Sequence, residues 1–258
     1  MFQHIKELYA YREMFKNLVL KELRARYKGS ILGFLWTFIN PLMMLVVYSV
    51  VFSFVTRASI EHYPMFLFVG LLPWNYLQTS VMMGNSSIVN NSNLIKKIYF
   101  PRVILPLAVV VSNLINYILG LFILIPALFI FKIQLTTALI AFPVVLLVQT
   151  ILVTALTLLV AAANVYFRDL EHISGVLMMA WFFLTPILFP LSIIPNEAKP
   201  YFALNIMAPV VEAYQAIFFY GHFPDFNNLG RMAALFICIL FVSYALFQRL
   251  QKNFAEEL

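Results

Sequence analysis

Charge is what this chain of 258 residues has least of. Only 11% of it is Asp, Glu, Lys or Arg, against about 25% in a soluble globular domain. With 63% hydrophobic residues and a mean hydropathy of +0.90, a water-soluble domain is excluded and an integral membrane protein indicated. Cysteine is nearly absent: the single Cys238 rules out a disulfide framework or a cysteine metal cluster, and gives no support to redox chemistry. There is no Walker-type phosphate loop, no His-Glu-x-x-His metal motif, no carboxylate pair in an apolar run and no nucleophile motif, so no enzymatic activity is expected of the chain. Ionisable residues are missing from the centres of the long apolar runs, where carriers and pumps keep their coupling-ion sites. The first 28 residues have no apolar core, so no cleavable signal peptide is expected.

The main polar interruption is Gly84 to Arg102, GNSSIVNNSNLIKKIYFPR. Four Asn and three Ser between Asn85 and Asn93 are followed by Lys96, Lys97 and Arg102. Hydrocarbon would leave each of those groups unsatisfied, so the island faces water or another protein. Ile88, Ile95, Ile98 and Tyr99 recur near helical spacing and predict a short amphipathic helix on the membrane surface, stopped by Pro101.

Around the island the chain reads as six apolar spans, over residues 30–56, 64–84, 103–131, 135–164, 173–190 and 229–250. Residues 1–29 precede them as an amphipathic interfacial helix, with Leu8, Tyr11, Phe15, Leu18 and Val19 on one face and Lys6, Lys21 and Arg24 on the other. Asn40-Pro41 predicts a break in the first span. Six of the 13 prolines fall between residues 186 and 224. The helix that Pro209 opens through Tyr220, about 12 residues, is too short to cross ~30 Å of hydrocarbon, which predicts a re-entrant pair within residues 191–228. Glu212 is the one carboxylate of the apolar run from Pro209 to Tyr220 and reads as a structural group near the interface. Thirteen of the 17 basic residues lie on segments that six spans put on one side, leaving Arg57, Lys132, Lys199 and Arg231 elsewhere. The positive-inside rule then gives both termini to the cytoplasm and accounts for the net charge of +6 without nucleic acid. Since the chain has no engine, energy is expected from a separate ATPase acting on cytoplasmic elements.

Four stretches carry a family resemblance. Arg26-Tyr27-Lys28-Gly29-Ser30-x-Leu32-Gly33-x-x-Trp36 with Asn40-Pro41-Leu42, then Leu94 to Arg102, then Phe167-Arg168-Asp169-Leu170, then Pro186 to Leu191, resemble in order the permease subunits of polysaccharide ABC exporters, which carry O-antigen, capsular polysaccharide or teichoic acid. One departure is Ala208-Pro209, where that family has Asn-Pro. The resemblance implies an all-α membrane protein of the type 2 ABC exporter fold: six transmembrane helices, an N-terminal interface helix (1–29), a cytoplasmic coupling helix (85–101) and an extracytoplasmic gate region with short re-entrant helices (191–228). It also implies a homodimer in the bacterial cytoplasmic membrane, served by two copies of a nucleotide-binding subunit that holds the ATP and magnesium, with no cofactor in this chain.

The implied cargo is a long glycan on a polyprenyl diphosphate lipid. Asn91, Asn93, Leu94, Ile95, Lys96 and Lys97 are then expected to couple to the ATPase, and Arg24, Arg26 and Lys28 to hold the lipid diphosphate at the cytoplasmic mouth, where anionic membrane lipid is the alternative partner. A sliding polymer suits flat rings better than a tight polar site. Phe34, Trp36, Tyr48, Trp74, Tyr117 and Trp181 are channel candidates, with helix packing or an interfacial belt as the competing role for each. A permease for a smaller lipid, drug or peptide cargo shares the same spans. A secondary carrier or channel would need an ion site that the sequence lacks.

Overall fold

Pro64, in the first turn, and His62, left-handed at φ 57°, start the helix around which the others pack. The computed structural model describes residues 10–25, 29–55, 62–191, 197 and 204–258, without the side chains of residues 34, 52–55 and 255. The described residues form helices and no strand: α1 (Arg12–Ala25), α2 (Trp36–Val55), α3 (Tyr63–Ser86), α4 (Ser92–Lys97), α5 (Ile104–Ile130), α6 (Phe142–Tyr166), α7 (Leu170–Leu184), α8 (Ala208–Gln215), α9 (Phe226–Leu250) and α10 (Phe254–Glu257).

α3 touches α2, α5, α6, α7 and α8. Its Phe66, Leu67, Phe68, Trp74 and Leu77 are almost fully buried, beside Leu124 and Leu128 of α5, Val145 and Leu152 of α6, and Val210 and Val211 of α8. At the opposite end, a second apolar cluster brings together Leu18 and Val19 of α1, Ile88 and Ile95 of the polar island, Ile104 of α5, Ala161 of α6, Phe247 of α9 and Phe254 of α10. The N-terminal helix, the island and the C-terminal turn thus meet at one end of the bundle. Tyr166 donates to the Leu250 carbonyl at 2.9 Å and Arg102 donates to the Gln251 carbonyl, fastening the last turn there.

Three helical stretches among the described residues are long and apolar enough to cross a membrane: Ile104–Ile130, Thr137–Tyr166 and Phe226–Asn253. α3 is long enough, but its lower half carries Asn75, Gln78, Thr79 and Ser80, and most of its residues are buried against neighbouring helices. α7 has 15 residues, about 22 Å at the usual rise, short of ~30 Å of hydrocarbon.

Two local expectations are corrected. α2 runs unbroken through Pro41, because a proline in the second turn forfeits only one intrahelical bond, to the Thr37 carbonyl, and the rest of the helix holds. The island does not make one amphipathic helix. α3 carries on to Ser86, a tight turn spans Val89–Asn91, and α4 is only Ser92–Lys97. Ile98 is extended at φ −134° and ψ 136°, so the helix ends before Pro101 has any part in ending it. Ile88 and Ile95 are buried while Ile98 and Tyr99 are exposed, so the four share no face.

Candidate functional site

Two places gather the residues that the sequence singles out. The first is the corner where α1 lies against the island. α1 presents Leu18 and Val19 inward and the lysine next in helical register, Lys21, toward the island, where Nζ donates to Asn91 Oδ1 at 2.7 Å. The amide of Asn91 in turn donates to the Ser87 carbonyl at 2.8 Å. Asn91 is therefore buried and tied within the chain, Ile95 faces the core, Leu94 is half-buried, and Asn93, Lys96 and Lys97 are open to solvent. A groove of about 790 Å³ runs between the two elements, with Asn17, Lys21, Asn93, Leu94 and Lys97 on its walls. Arg24 is exposed in the last turn of α1, where a cation suits the helix dipole; Arg26 and Lys28 lie outside the described residues.

The second place is a crevice of about 370 Å³ between α2, α3 and α5. Trp36 and Tyr117, two of the six aromatic candidates, both line it, with Thr37, Asn40, Asn75 and Asn116. The Trp36 indole donates to Ser30 Oγ at 2.8 Å, which holds the ring at the start of α2. Thr37 Oγ1 and both amide atoms of Asn116 are shielded from solvent and have no hydrogen-bond partner among the described residues. The remaining candidates stand apart. Trp74 is enclosed, with its indole on Gln78 at 3.1 Å and Trp181 edge-on at 5.8 Å. Trp181 donates to Asn205 Oδ1 at 2.7 Å, Tyr48 is half-buried on α2, and the Phe34 side chain is not described. The sequence gives no direct sign that Asn75 belongs here. The signal available was spacing: polar residues at 37 and 40, 75 and 79, and 113 and 116 each sit on one face of an otherwise apolar helix.

At the far end, α8 passes into a wide turn, Ala216–Tyr220, closed by Gly221 at φ 72°. Glu212 lines a cavity of about 210 Å³ with His222, Asp225 and Asn228, and burial pushes its carboxyl up to about 7. Tyr214 donates at 2.7 Å to Gln149 Oε1, while Gln149 Nε2 donates at 2.7 Å to the Pro73 carbonyl. One buried amide thus links α8, α6 and α3. Among the described residues no three of His, Cys, Asp and Glu gather as metal ligands would.

Comparison with known proteins points to one family of membrane proteins. The family model described as ABC-2 type transporter matches residues 13–219. The O-antigen export system permease protein RfbA of Myxococcus xanthus is 42% identical over 260 residues, covering the whole of both chains. A protein of the same name from Klebsiella pneumoniae is 30% identical over 92% of this chain and 91% of its own. The polysialic acid transport protein KpsM of Escherichia coli is 21% identical over 90% and 91%. With four-fifths of its length matched by the family model and a relative aligned from end to end, this chain is a member of the ABC-2 type transporter family of membrane proteins.

Proposed function

We propose that this chain is the membrane-spanning subunit of an ATP-driven exporter that moves a lipid-linked polysaccharide, of the O-antigen or capsule kind, across the bacterial cytoplasmic membrane. The observation that carries the reading is the end-to-end 42% identity to an O-antigen export permease. Two copies of the chain form the conduit in this reading, and two copies of a separate ATPase bind and hydrolyse ATP with magnesium beneath it. The groove beside α4, with Lys97 on its wall and the exposed Lys96 next to it in the chain, is the surface offered to that partner. Arg24, Arg26 and Lys28 meet the diphosphate of the lipid carrier at the cytoplasmic mouth. The spans are six, with both termini in the cytoplasm, which agrees with α1, the island and α10 sharing one cluster and with the placing of the basic residues. α8 and its wide turn form the extracytoplasmic gate.

The half-buried aromatic groups favour polymer cargo over a small solute, since α2 and α7 hold Trp36, Tyr48 and Trp181 partly open and no Asp, Glu, Lys, Arg or His lies among the residues of the crevice. Deleting the chain from its host tests this. The lipid-linked polymer is expected to accumulate inside the cell while its synthesis continues, and re-expression restores surface polymer. Unchanged surface polymer after deletion overturns the reading.

A further inference from the structure

We infer that the cavity between α8, the wide turn Ala216–Tyr220 and the start of α9 is a proton-operated catch, shut while Glu212 is protonated and released toward α9 once the carboxylate forms. The inference deepens the exporter reading, on which it rests for the role of α8 as a gate. Its starting point is a carboxyl group set into an apolar wall. Val210, Val211, Ala213, Tyr214 and Gln215, its neighbours on α8, are buried, and Glu212 itself faces a space of about 210 Å³. It makes no hydrogen bond or ion pair among the described residues. Burial alone pushes its carboxyl up to about 7.

The groups that face Glu212 set the direction of the response. Asp225 lines the same cavity at the start of α9, where its Oδ1 accepts from the backbone N–H groups of Asn227 at 3.0 Å and Asn228 at 3.2 Å. Tyr220 and His222 come from the wide turn and its close, with their rings stacked 5.8 Å apart. α3 and α6, the other helices packed on α8, place no titratable residue in the cavity. An ionised Glu212 therefore meets a like charge and neither lysine nor arginine. Since Asp225 is also the cap of α9, repulsion between the two carboxylates acts on the first turn of that helix.

The sides of the cavity differ in how firmly they are held. α8 is tied from behind: Tyr214 donates to Gln149 Oε1 at 2.7 Å, and Gln215 Nε2 donates to the Pro186 carbonyl at 3.0 Å. The close of the wide turn is tied as well, with Thr136 Oγ1 donating to the Gly221 carbonyl at 2.7 Å. Phe226, Asn227 and Gly230, at the start of α9, are exposed, so α9 is the side that gives. Opening lets water reach the carboxyl and returns its pKa toward 4.5. By linkage, the open form gains wherever the proton is lost.

The test is a spin-label distance in the purified full-length chain, with Ile140→Cys and Asn227→Cys carrying the labels in a Cys238→Ser background. Ile140 is exposed in the turn that Thr136 opens, and Asn227 is exposed in the first turn of α9. Labelled chain is diluted into unlabelled chain, so that only pairs within one copy are read. The distance is expected to stay constant in acid and to lengthen with a midpoint near 7. Glu212→Gln holds the short distance at every pH, and Asp225→Asn, which can still cap the helix, loses most of the lengthening. His222→Gln keeps the full response. A distance that does not change with pH overturns the catch, as does a response kept by Glu212→Gln or abolished by His222→Gln. If Glu212→Gln does not fold, lengthening retained in full by Asp225→Asn overturns it instead. Export is read separately: ATP-driven passage of glycan through a chain whose distance never changes sinks the catch alone, whereas an intact pH response in a complex that exports nothing sinks the exporter reading alone.

Discussion

Lys21 reaches from α1 to the polar island and places its ammonium 2.7 Å from Asn91 Oδ1, so a charged hydrogen bond ties the N-terminal helix to the segment proposed to meet the ATPase. Hydrogen bonds with a charged donor contribute more than neutral ones, about 1.5–3 kcal/mol when buried and less at a half-open site. Lys21→Met is therefore expected to lower the unfolding temperature in detergent by a few degrees and to reduce co-purification of the ATPase, while leaving membrane insertion unchanged. Full co-purification with normal stability would show that the two elements move independently.

Gly84 lies against α6 so closely that a Cβ there would stand 2.5 Å from Thr157 Cγ2. Thr157 is β-branched and held in a helix, so it has little freedom to turn aside. Gly84→Ala is expected to destabilise by about 1–3 kcal/mol, the usual cost of overpacking a tight interface. Thr157→Ser, which removes the clashing methyl, restores much of the loss in the double variant. Thermal unfolding of the three proteins checks this; no rescue would mean that the crowding lies elsewhere.

How much of this was legible beforehand depends on the kind of signal. The long apolar runs of α5, α6 and α9 declare themselves through hydropathy, because lipid faces and protein faces are both apolar there. α3 is harder to read: its lower half is rich in Asn, Gln, Thr and Ser, and nothing in a single sequence says that neighbouring helices rather than lipid surround it. The polar island was visible as an interruption. Its division was not, since the switch from α3 to a tight turn and then to six residues of α4 is set by Ile88 and Ile95 finding the second apolar cluster. Trp36 and Tyr117 were each identifiable as aromatic, and only the packing of α2 against α5 puts them in one crevice. Trp74 has the same composition signal and is enclosed instead.

The hydroxyl of Tyr214 meets Gln149 in a site with no water access, both residues being fully buried. Tyr214→Phe keeps the ring packing and leaves Gln149 Oε1 without its donor, a change expected to cost about 1–3 kcal/mol. Because Gln149 also grips the Pro73 carbonyl, the double variant Tyr214→Phe with Gln149→Leu is expected to lose less than the sum of the singles. Strict additivity in unfolding measurements would contradict a shared link.

Glu212 carries the pH dependence. Its carboxyl is pushed from 4.5 up to about 7 by burial, so the folded chain keeps a proton that the unfolded chain releases. Stability from this group is full below about 4.5, declines as pH rises, and levels off above about 7. His222 and Asp225 line the same cavity, and comparison with Glu212→Gln separates their titration from that of Glu212. Wild type and variant should unfold at similar temperatures at the acid end, and the wild type should fall below the variant across this window as the carboxylate forms. A constant difference would remove Glu212 as its source.

The most direct measurement of the whole proposal is transport in sealed vesicles holding the purified chain, with and without its ATPase subunit, supplied with lipid-linked glycan and ATP. Glycan is expected to cross only when ATPase and ATP are both present. Passage of solute down an ion gradient through the chain alone, or ATP-driven passage that does not require the glycan's lipid carrier, would contradict it.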